Sequence, residues 1–260
     1  MYWRLIPLMR LPGQFQMAID QWLLEQHQAG IYPPVLRFYT WASPTISLGY
    51  HQHRWDSAWQ QLTWQGTPVE LVRRPTGGRA VLHQGDLTYM VITSGLTGKR
   101  LDAYQKMCGF LIQGWRSLGV DLHYGSAGRD YIRNPNCFGI ATGADLVTAN
   151  GYKLIGSAQL RRGDAILQHG SMRLEPDTQL FEQVFGETLS YVNLPIIQEG
   201  DALIQTVVEV LTNAAADCFG VELVEQPLSN EEWQRILRQS SLELGSPVGD
   251  FGKGTRGRGS

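Results

Sequence analysis

The chain is expected to form an α+β fold, with mixed β-sheets flanked by helices. Three features of the sequence lead there. Short apolar runs bounded by Gly, Pro, Asn or Ser recur between residues 35 and 93 and again between 145 and 174. Two long stretches, 14–29 and 101–118, carry apolar residues at helical spacing. From about residue 177 onward the pattern is helical. Strands that cluster first, with helices ending the chain, favour mixed sheets over a doubly wound parallel one.

Taken in order, Met1 to Leu8 reads as a first strand. Residues 14–29 follow as an amphipathic helix, with Phe15, Ala18, Ile19, Trp22 and Leu23 on one stripe and Gly30 as its stop. Val35 to Trp41 and Thr45 to Leu48 read as strands separated by a turn at Ser43-Pro44, and Trp55 to Trp64 as a short helix. Val69, Leu71 and Val72 form a strand-like run that ends in Arg73 and Arg74. A Thr76-Gly77-Gly78 corner comes next, then a second run from Ala80 to His83 and a strand from Leu87 to Thr93. The helix over 101–118 places Leu101, Tyr104, Cys108, Leu111, Trp115 and Leu118 on one face. Val120 to Tyr124 is a strand, and residues 125–143 have no period and read as a long functional loop. Asn150-Gly151 between Asp145–Ala149 and Tyr152–Leu160 signals a hairpin, because both turn residues tolerate φ > 0. Ala165 to Leu174 is the next strand, and helices follow over about 177–185, 201–218 and 229–239. The expected organisation is one domain over 1–250, helical from about 196, with a disordered Gly/Arg-rich tail over 251–260.

Composition narrows the function. Apolar residues make up 43% and charged residues 18%, the proportions of an ordinary globular protein. A net charge of −2 argues against general nucleic-acid binding. Cys108, Cys137 and Cys218 are three, widely spaced and without a C-x-x-C pair, so neither a disulfide framework nor a zinc site is indicated and no structural metal is expected. Arg4, Arg10 and Pro12 interrupt the apolar start, so no signal peptide or membrane span is read, and a cytoplasmic setting is expected. G-K-G-T-R-G at 252–257 matches a dinucleotide motif literally, but neither a strand nor a helix brackets it.

The chemistry gathers around the corner. Paired glycines admit a ligand where any Cβ would collide. Arg73, Arg74 and Arg79 place three positive charges beside successive backbone N–H groups, an arrangement suited to a carboxylate, a phosphate or a developing oxyanion. The plainer reading is a Gly-Gly hairpin with solvated arginines. His83 is a site-lining candidate, with a structural role as the alternative. Cys108 and Cys218, on helices, read as small hydrophobes. Cys137, among Asn, Pro and Gly, is placed where a thiol is reachable. Lys153 follows the Asn-Gly turn and shares a strand face with Ile155 and Ser157, as a solvated charge or a functional amine. Gly156 marks a bulge or close backbone approach to a ligand. Leu71 and Val81 line either a tunnel or the core. His51 and His53 lack a third ligand for a metal.

The segment R-R-P-T-G-G-R-A-V-L-H at 73–83 resembles the signature of the lipoate/biotin protein ligase and octanoyltransferase superfamily. M-A-I-D at 17–20, L-R-F-Y-T-W-A-S-P-T-I-S-L-G at 36–49 and K-L-I-G-S-A-Q at 153–159 resemble the same family in the same order, over roughly residues 1–185. A cysteine in the loop ahead of K-x-x-G-S-A-Q resembles the cysteine-dependent octanoyltransferase branch. The resemblance implies the biotin/lipoate ligase catalytic-domain fold. It also implies Cys137 as nucleophile, Lys153 as the residue that reaches the acyl carbonyl, and a binding site drawn from Arg73, Arg74, Thr76, Gly77, Gly78, Arg79, His83, Gly156, Ser157 and His169. If Lys153 is partly buried it could accept a proton. The implied donor is octanoyl-acyl carrier protein. The implied acceptor is a lysine on a lipoyl domain of a 2-oxoacid dehydrogenase complex or on the glycine cleavage H protein. No cofactor is implied; ATP and Mg²⁺ would enter only for an ATP-dependent lipoate–protein ligase. Transfer between lipoyl domains and a non-catalytic lipoate-binding module are further alternatives.

Overall fold

A computed structural model describes residues 1–125, 143, 145–189 and 192–244. The chain begins with β1 (Tyr2–Leu11), α1 (Gly13–Gln28), β2 (Val35–Trp41) and β3 (Thr45–Leu48). It continues through β4 (Thr63–Trp64), β5 (Thr67–Pro68), β6 (Glu70–Arg73), β7 (Val81–His83) and β8 (Asp86–Thr93). Next come α2 (Arg100–Ser117), β9 (Leu122–Tyr124), β10 (Leu146–Thr148), β11 (Lys153–Arg162) and β12 (Ala165–Arg173). The last elements are α3 (Thr178–Phe185), α4 (Gly200–Phe219), β13 (Glu222–Glu225) and α5 (Asn230–Leu244).

An eight-stranded sheet runs in the order β13-β1-β2-β8-β12-β11-β10-β9. β1 pairs parallel with β13 and with β2, and the remaining pairs are antiparallel. β2, β8 and β12 are buried along nearly their whole length, which explains why they read as continuous apolar runs. Their side chains alternate between two helical layers. Leu87, Tyr89 and Val91 of β8 join the core under α2 and α4, while Met90 and Ile92 join the core under α1 and α5. By length and composition α4 could cross a membrane, but Leu203, Val207, Leu211, Ala214 and Ala215 bury its apolar stripe in the core that α2 also fills.

Three local features depart from the sequence reading. Residues 55–64 give only a 3-10 turn at Ser57–Gln61, capped by Asp56, because Thr63 and Trp64 already begin a β4–β5 hairpin turned by Gln65 (φ 48°) and Gly66 (φ 78°). The sequence pattern reads the residues of β13 as part of a helical region. The strand is half-exposed and short, so it carries little apolar pattern, and its parallel pairing with β1 defines it. The Gly-Gly corner is not a hairpin either. β6 and β7 both pair with β3, one parallel and one antiparallel, so the corner arches over β3 in a separate three-stranded sheet. Cys137, most of the loop over 125–143 and the tail over 251–260 lie outside the described residues.

The two ends of the chain are joined by a buried ion pair. Arg4 grips Glu232 with both terminal nitrogens (2.7 and 2.9 Å) and donates to the carbonyls of Gln226 and Pro227. Burial alone would raise the Glu232 carboxyl, but bonds from Arg4, the Ser229 amide and Tyr32 bring it down to about 2. A depressed carboxylate contributes stability above its unfolded value and loses it as pH falls toward the folded one. The denaturant midpoint is therefore expected to fall as pH drops from about 4.5 to about 2. Glu232→Gln, less stable at neutral pH, should show a flatter profile in that window. An identical acid profile in the variant would show that the pair does not carry the acid sensitivity.

Candidate active site

Arg74 organises the corner. It is buried (5% exposed) at the end of β6. Its guanidinium donates to the Ser47 carbonyl (2.8 Å), the Ser47 hydroxyl (3.1 Å) and the carbonyls of Gly77 (2.9 Å) and Arg79 (2.6 Å). It is therefore not the solvated charge of the plainer reading. Arg73, half-buried, donates to the carbonyls of Gly49, Tyr50 and Gln52 and lies 5.6 Å from the Trp55 ring centre. The P-T-I-S-L-G segment ends in glycine for a steric reason. A Cβ at Gly49 would sit 1.9 Å from the Gly78 carbonyl oxygen, and Gly78 itself has φ +97°.

Beside this corner lies a cleft with about 400 Å³ of free space, open mouth included. It draws together Arg74, His83, Gly156, Ser157 and His169 from the expected site. Met17, Tyr39, Trp41 and Val81 supply apolar wall, and Ser47, Thr88 and Ser171 supply hydroxyls. Thr76, Gly77, Gly78 and Arg79 stand at the corner but do not line the cleft. Of the two tunnel candidates Val81 lines it, whereas Leu71 packs in the smaller core under α3.

Two chains of carboxylate, imidazole and hydroxyl converge here. In one, Asp20 of α1 accepts from Arg37 (3.1 Å), Tyr39 (3.0 Å) and His169 Nδ1 (3.0 Å), and His169 Nε2 meets the Thr76 hydroxyl at 2.6 Å. Burial, reinforced by Asp20, pushes the Tyr39 phenol well above its ordinary value and keeps it a donor. In the other, Asp86 meets His83 Nδ1 (2.8 Å) and the Ser171 hydroxyl (2.6 Å), while His83 Nε2 meets the Ser47 hydroxyl at 2.8 Å. The His83 ring stacks on Trp41 at 3.9 Å. Burial lowers the His83 pKa despite the opposing pull of Asp86, so the imidazole is neutral near pH 7.

Lys153 opens β11 and is buried, not solvated. Its ammonium meets Asp145 at 2.9 Å, with both side chains under 5% exposed. Arg173 donates to the Lys153 carbonyl and lies over the Tyr152 ring at 4.6 Å. Lys153 shares its strand with Gly156 and Ser157 but does not line the cleft. The segment that contains Cys137 leaves the described structure after Gly125, whose amide donates to the Asp145 carbonyl at 2.9 Å. The stem of that segment thus lies against the partner of Lys153. Burial pushes the Cys108 thiol up to about 11, in keeping with a structural residue. Cys218 departs from the expectation of a small buried hydrophobe, for it is exposed at the end of α4. Among the described residues no three His, Cys, Asp or Glu side chains cluster as metal ligands would.

Sequence reasoning singled out neither Ser47, Asp86, Asp145 nor Arg173. Ser47 and Asp20 stand inside segments that carried the resemblance, and Asp86 lies three residues after His83. For Ser47 and Asp86 the available signal was a polar side chain in a strand that is buried throughout, and for Asp20 a carboxylate among the buried residues of α1.

This fold and this site have counterparts. Residues 12–196 match the model of the lipoyl protein ligase A/B catalytic domain, and the chain belongs to that family. Among curated relatives, an octanoyltransferase LipM from Carboxydothermus hydrogenoformans is 41% identical over 179 residues, covering 67% of this chain and 66% of the relative. An octanoyltransferase LipM from Kyrpidia tusciae is 38% identical over 188 residues, covering 68% of each. The matched stretch thus spans about two thirds of these relatives' length. A crystal structure of lipoate-protein ligase A bound with ATP superposes with a TM-score of 0.75, covering 93% of this chain and 95% of that one at 23% identity, a likeness of fold. Both of these curated relatives are octanoyltransferases.

The Asp20–Arg37 pair is fully buried, and removing one member of such a pair strands the other charge. Asp20→Ala is expected to lower unfolding free energy by about 3–5 kcal/mol, read from the urea midpoint. A change confined to activity would show that Asp20 serves the site without supporting the fold.

Proposed function

We propose that the chain is a cytoplasmic octanoyltransferase of lipoate biosynthesis, which takes octanoyl from an acyl-carrier-protein thioester and delivers it to a lysine of a lipoyl domain. The observation that carries this reading is the set of octanoyltransferase relatives at 34–41% identity. The Cys137 thiolate attacks the donor carbonyl, the carrier thiolate leaves, and an acyl-enzyme thioester forms. The acceptor lysine then attacks that thioester. Lys153 stabilises negative charge on the carbonyl oxygen, together with N–H groups of the Gly77-Gly78 corner. Support for this division of labour comes from the Asp145 link, since the residue that grips Lys153 also anchors the stem of the Cys137 segment. An ammonium held by a carboxylate suits charge stabilisation better than proton acceptance. Exchange of one thioester for another, followed by amide formation, calls for neither ATP nor metal.

Intact-protein mass spectrometry tests the reading. Mixed with octanoyl-carrier protein and no ATP, the wild type should gain one octanoyl group and Cys137→Ser none. Absence of the adduct on wild type, with a lipoyl domain modified only when ATP and free octanoate are supplied, would make the chain a ligase instead. Asp145→Asn, which keeps the shape and removes the charge, should slow adduct formation; an unchanged rate would count against a role for Lys153 in that step.

A further inference from the structure

We propose that Ser47 and His83 accept the proton released when the acceptor amine attacks the acyl-enzyme, with Asp86 as the positioning residue. The assignment rests on the octanoyltransfer reading above and names the residues of its second half-reaction.

The geometry has a direction. Asp86 accepts from His83 Nδ1 at 2.8 Å and from the Ser171 hydroxyl at 2.6 Å, which fixes the imidazole with its proton on Nδ1 and leaves Nε2 as an acceptor. Nε2 receives the Ser47 hydroxyl at 2.8 Å. Ser47 Oγ accepts from Arg74 at 3.1 Å with one lone pair, and its second lone pair is left for an N–H from a bound amine. Ser47 and His83 both line the cleft. Trp41, stacked at 3.9 Å, holds the ring plane. The array therefore runs from the cleft to a buried carboxylate with each polarity set by its neighbour, as in nucleophile–His–Asp sites.

The second carboxylate–imidazole chain is a control supplied by the protein itself. Asp20 is already held by Arg37 and Tyr39, and Thr76 does not line the cleft. Asp86 has no ammonium or guanidinium within ion-pair distance among the described residues. Its charge is thus available to an imidazolium on His83. The groups facing His83 are Asp86 beside it, Trp41 from β2, Ser47 from β3, Arg74 from the corner and His169 and Ser171 from β12. Burial, Arg74 and His169 keep the resting imidazole neutral, the form that can accept.

The step balances. The neutral amine forms the C–N bond, the C–S bond breaks, and the cysteine leaves as thiolate with that electron pair. The nitrogen proton moves to Ser47 Oγ as the Ser47 hydroxyl proton moves to His83 Nε2. The product is an amide beside an imidazolium–Asp86 pair, and the imidazolium later returns its proton to the thiolate or to water.

A single-turnover experiment tests this. Enzyme is loaded with octanoyl-carrier protein, freed of donor, and mixed with a lipoyl domain while intact mass follows loss of the adduct. In His83→Gln and Ser47→Ala the adduct should still accumulate while discharge to the lysine slows by about 100-fold. The wild-type discharge rate should rise with pH through an inflection below the ordinary histidine value. Asp86→Asn should move that inflection lower, because it removes the charge that favours the imidazolium, and His83→Gln should abolish it. Wild-type discharge rates in both His83→Gln and Ser47→Ala, or an inflection that survives His83→Gln, would overturn the relay. So would an equal loss of adduct formation and discharge in both variants. A wild type that never forms the adduct would instead remove the octanoyltransfer reading, and the relay with it.

Discussion

Arg74 places its donors on the Ser47 carbonyl and hydroxyl and on the carbonyls of Gly77 and Arg79, and the geometry of the site descends from that bonding. A glycine-rich turn has many backbone conformations and no side chains to restrict them. A planar guanidinium removes that freedom, because its donors must meet acceptors at fixed angles. The carbonyls it binds come from both sides of the corner, and the strand between them, β3, presents Ser47. Gly49 lets the Gly78 carbonyl close on β3 where a Cβ would block it. The path of the backbone through the corner is thereby fixed from within the protein.

The fold was legible where one physical signal dominated. β2 and β3 fall at the residues that apolar runs and the Ser43-Pro44 turn marked, and α1 and α2 fall within a residue or so of their periodic stripes. What escaped were elements defined by partners instead of pattern. β13 is four half-exposed residues whose only reason to be extended is β1 alongside. The relation of β6 to β7 escaped because adjacency in sequence suggested a hairpin, while the pairing goes through β3, which precedes both.

Part of the site was legible for the same reason. Arg74, His83, Gly156, Ser157 and His169 do meet at one cleft. Single-residue arguments could not say what each would be bonded to. Lys153 beside an Asn-Gly turn looks like a surface charge until the fold brings Asp145 to 2.9 Å and buries both. Arg74 looks like an anion receptor until its donors are counted against backbone carbonyls. Burial inverts the ordinary reading of a polar side chain, because a group withdrawn from water must find its partners within the protein.

Burial also explains why two similar imidazole chains differ in what they can do. Asp20 already accepts from a guanidinium and a phenol besides the His169 imidazole, so its lone pairs are spent on holding neighbouring elements together. That chain joins α1, β2 and β12 to Thr76 and so fixes where the corner sits. Asp86 is bonded instead by an imidazole and hydroxyls, which donate without neutralising it. In a site shielded from solvent that difference is amplified, since the same low dielectric that penalises an isolated charge strengthens its attraction for an imidazolium 2.8 Å away. The bonds around one carboxylate suit it to hold a backbone turn in place, and the bonds around the other suit it to stabilise a charge that exists only while the acyl group is being transferred.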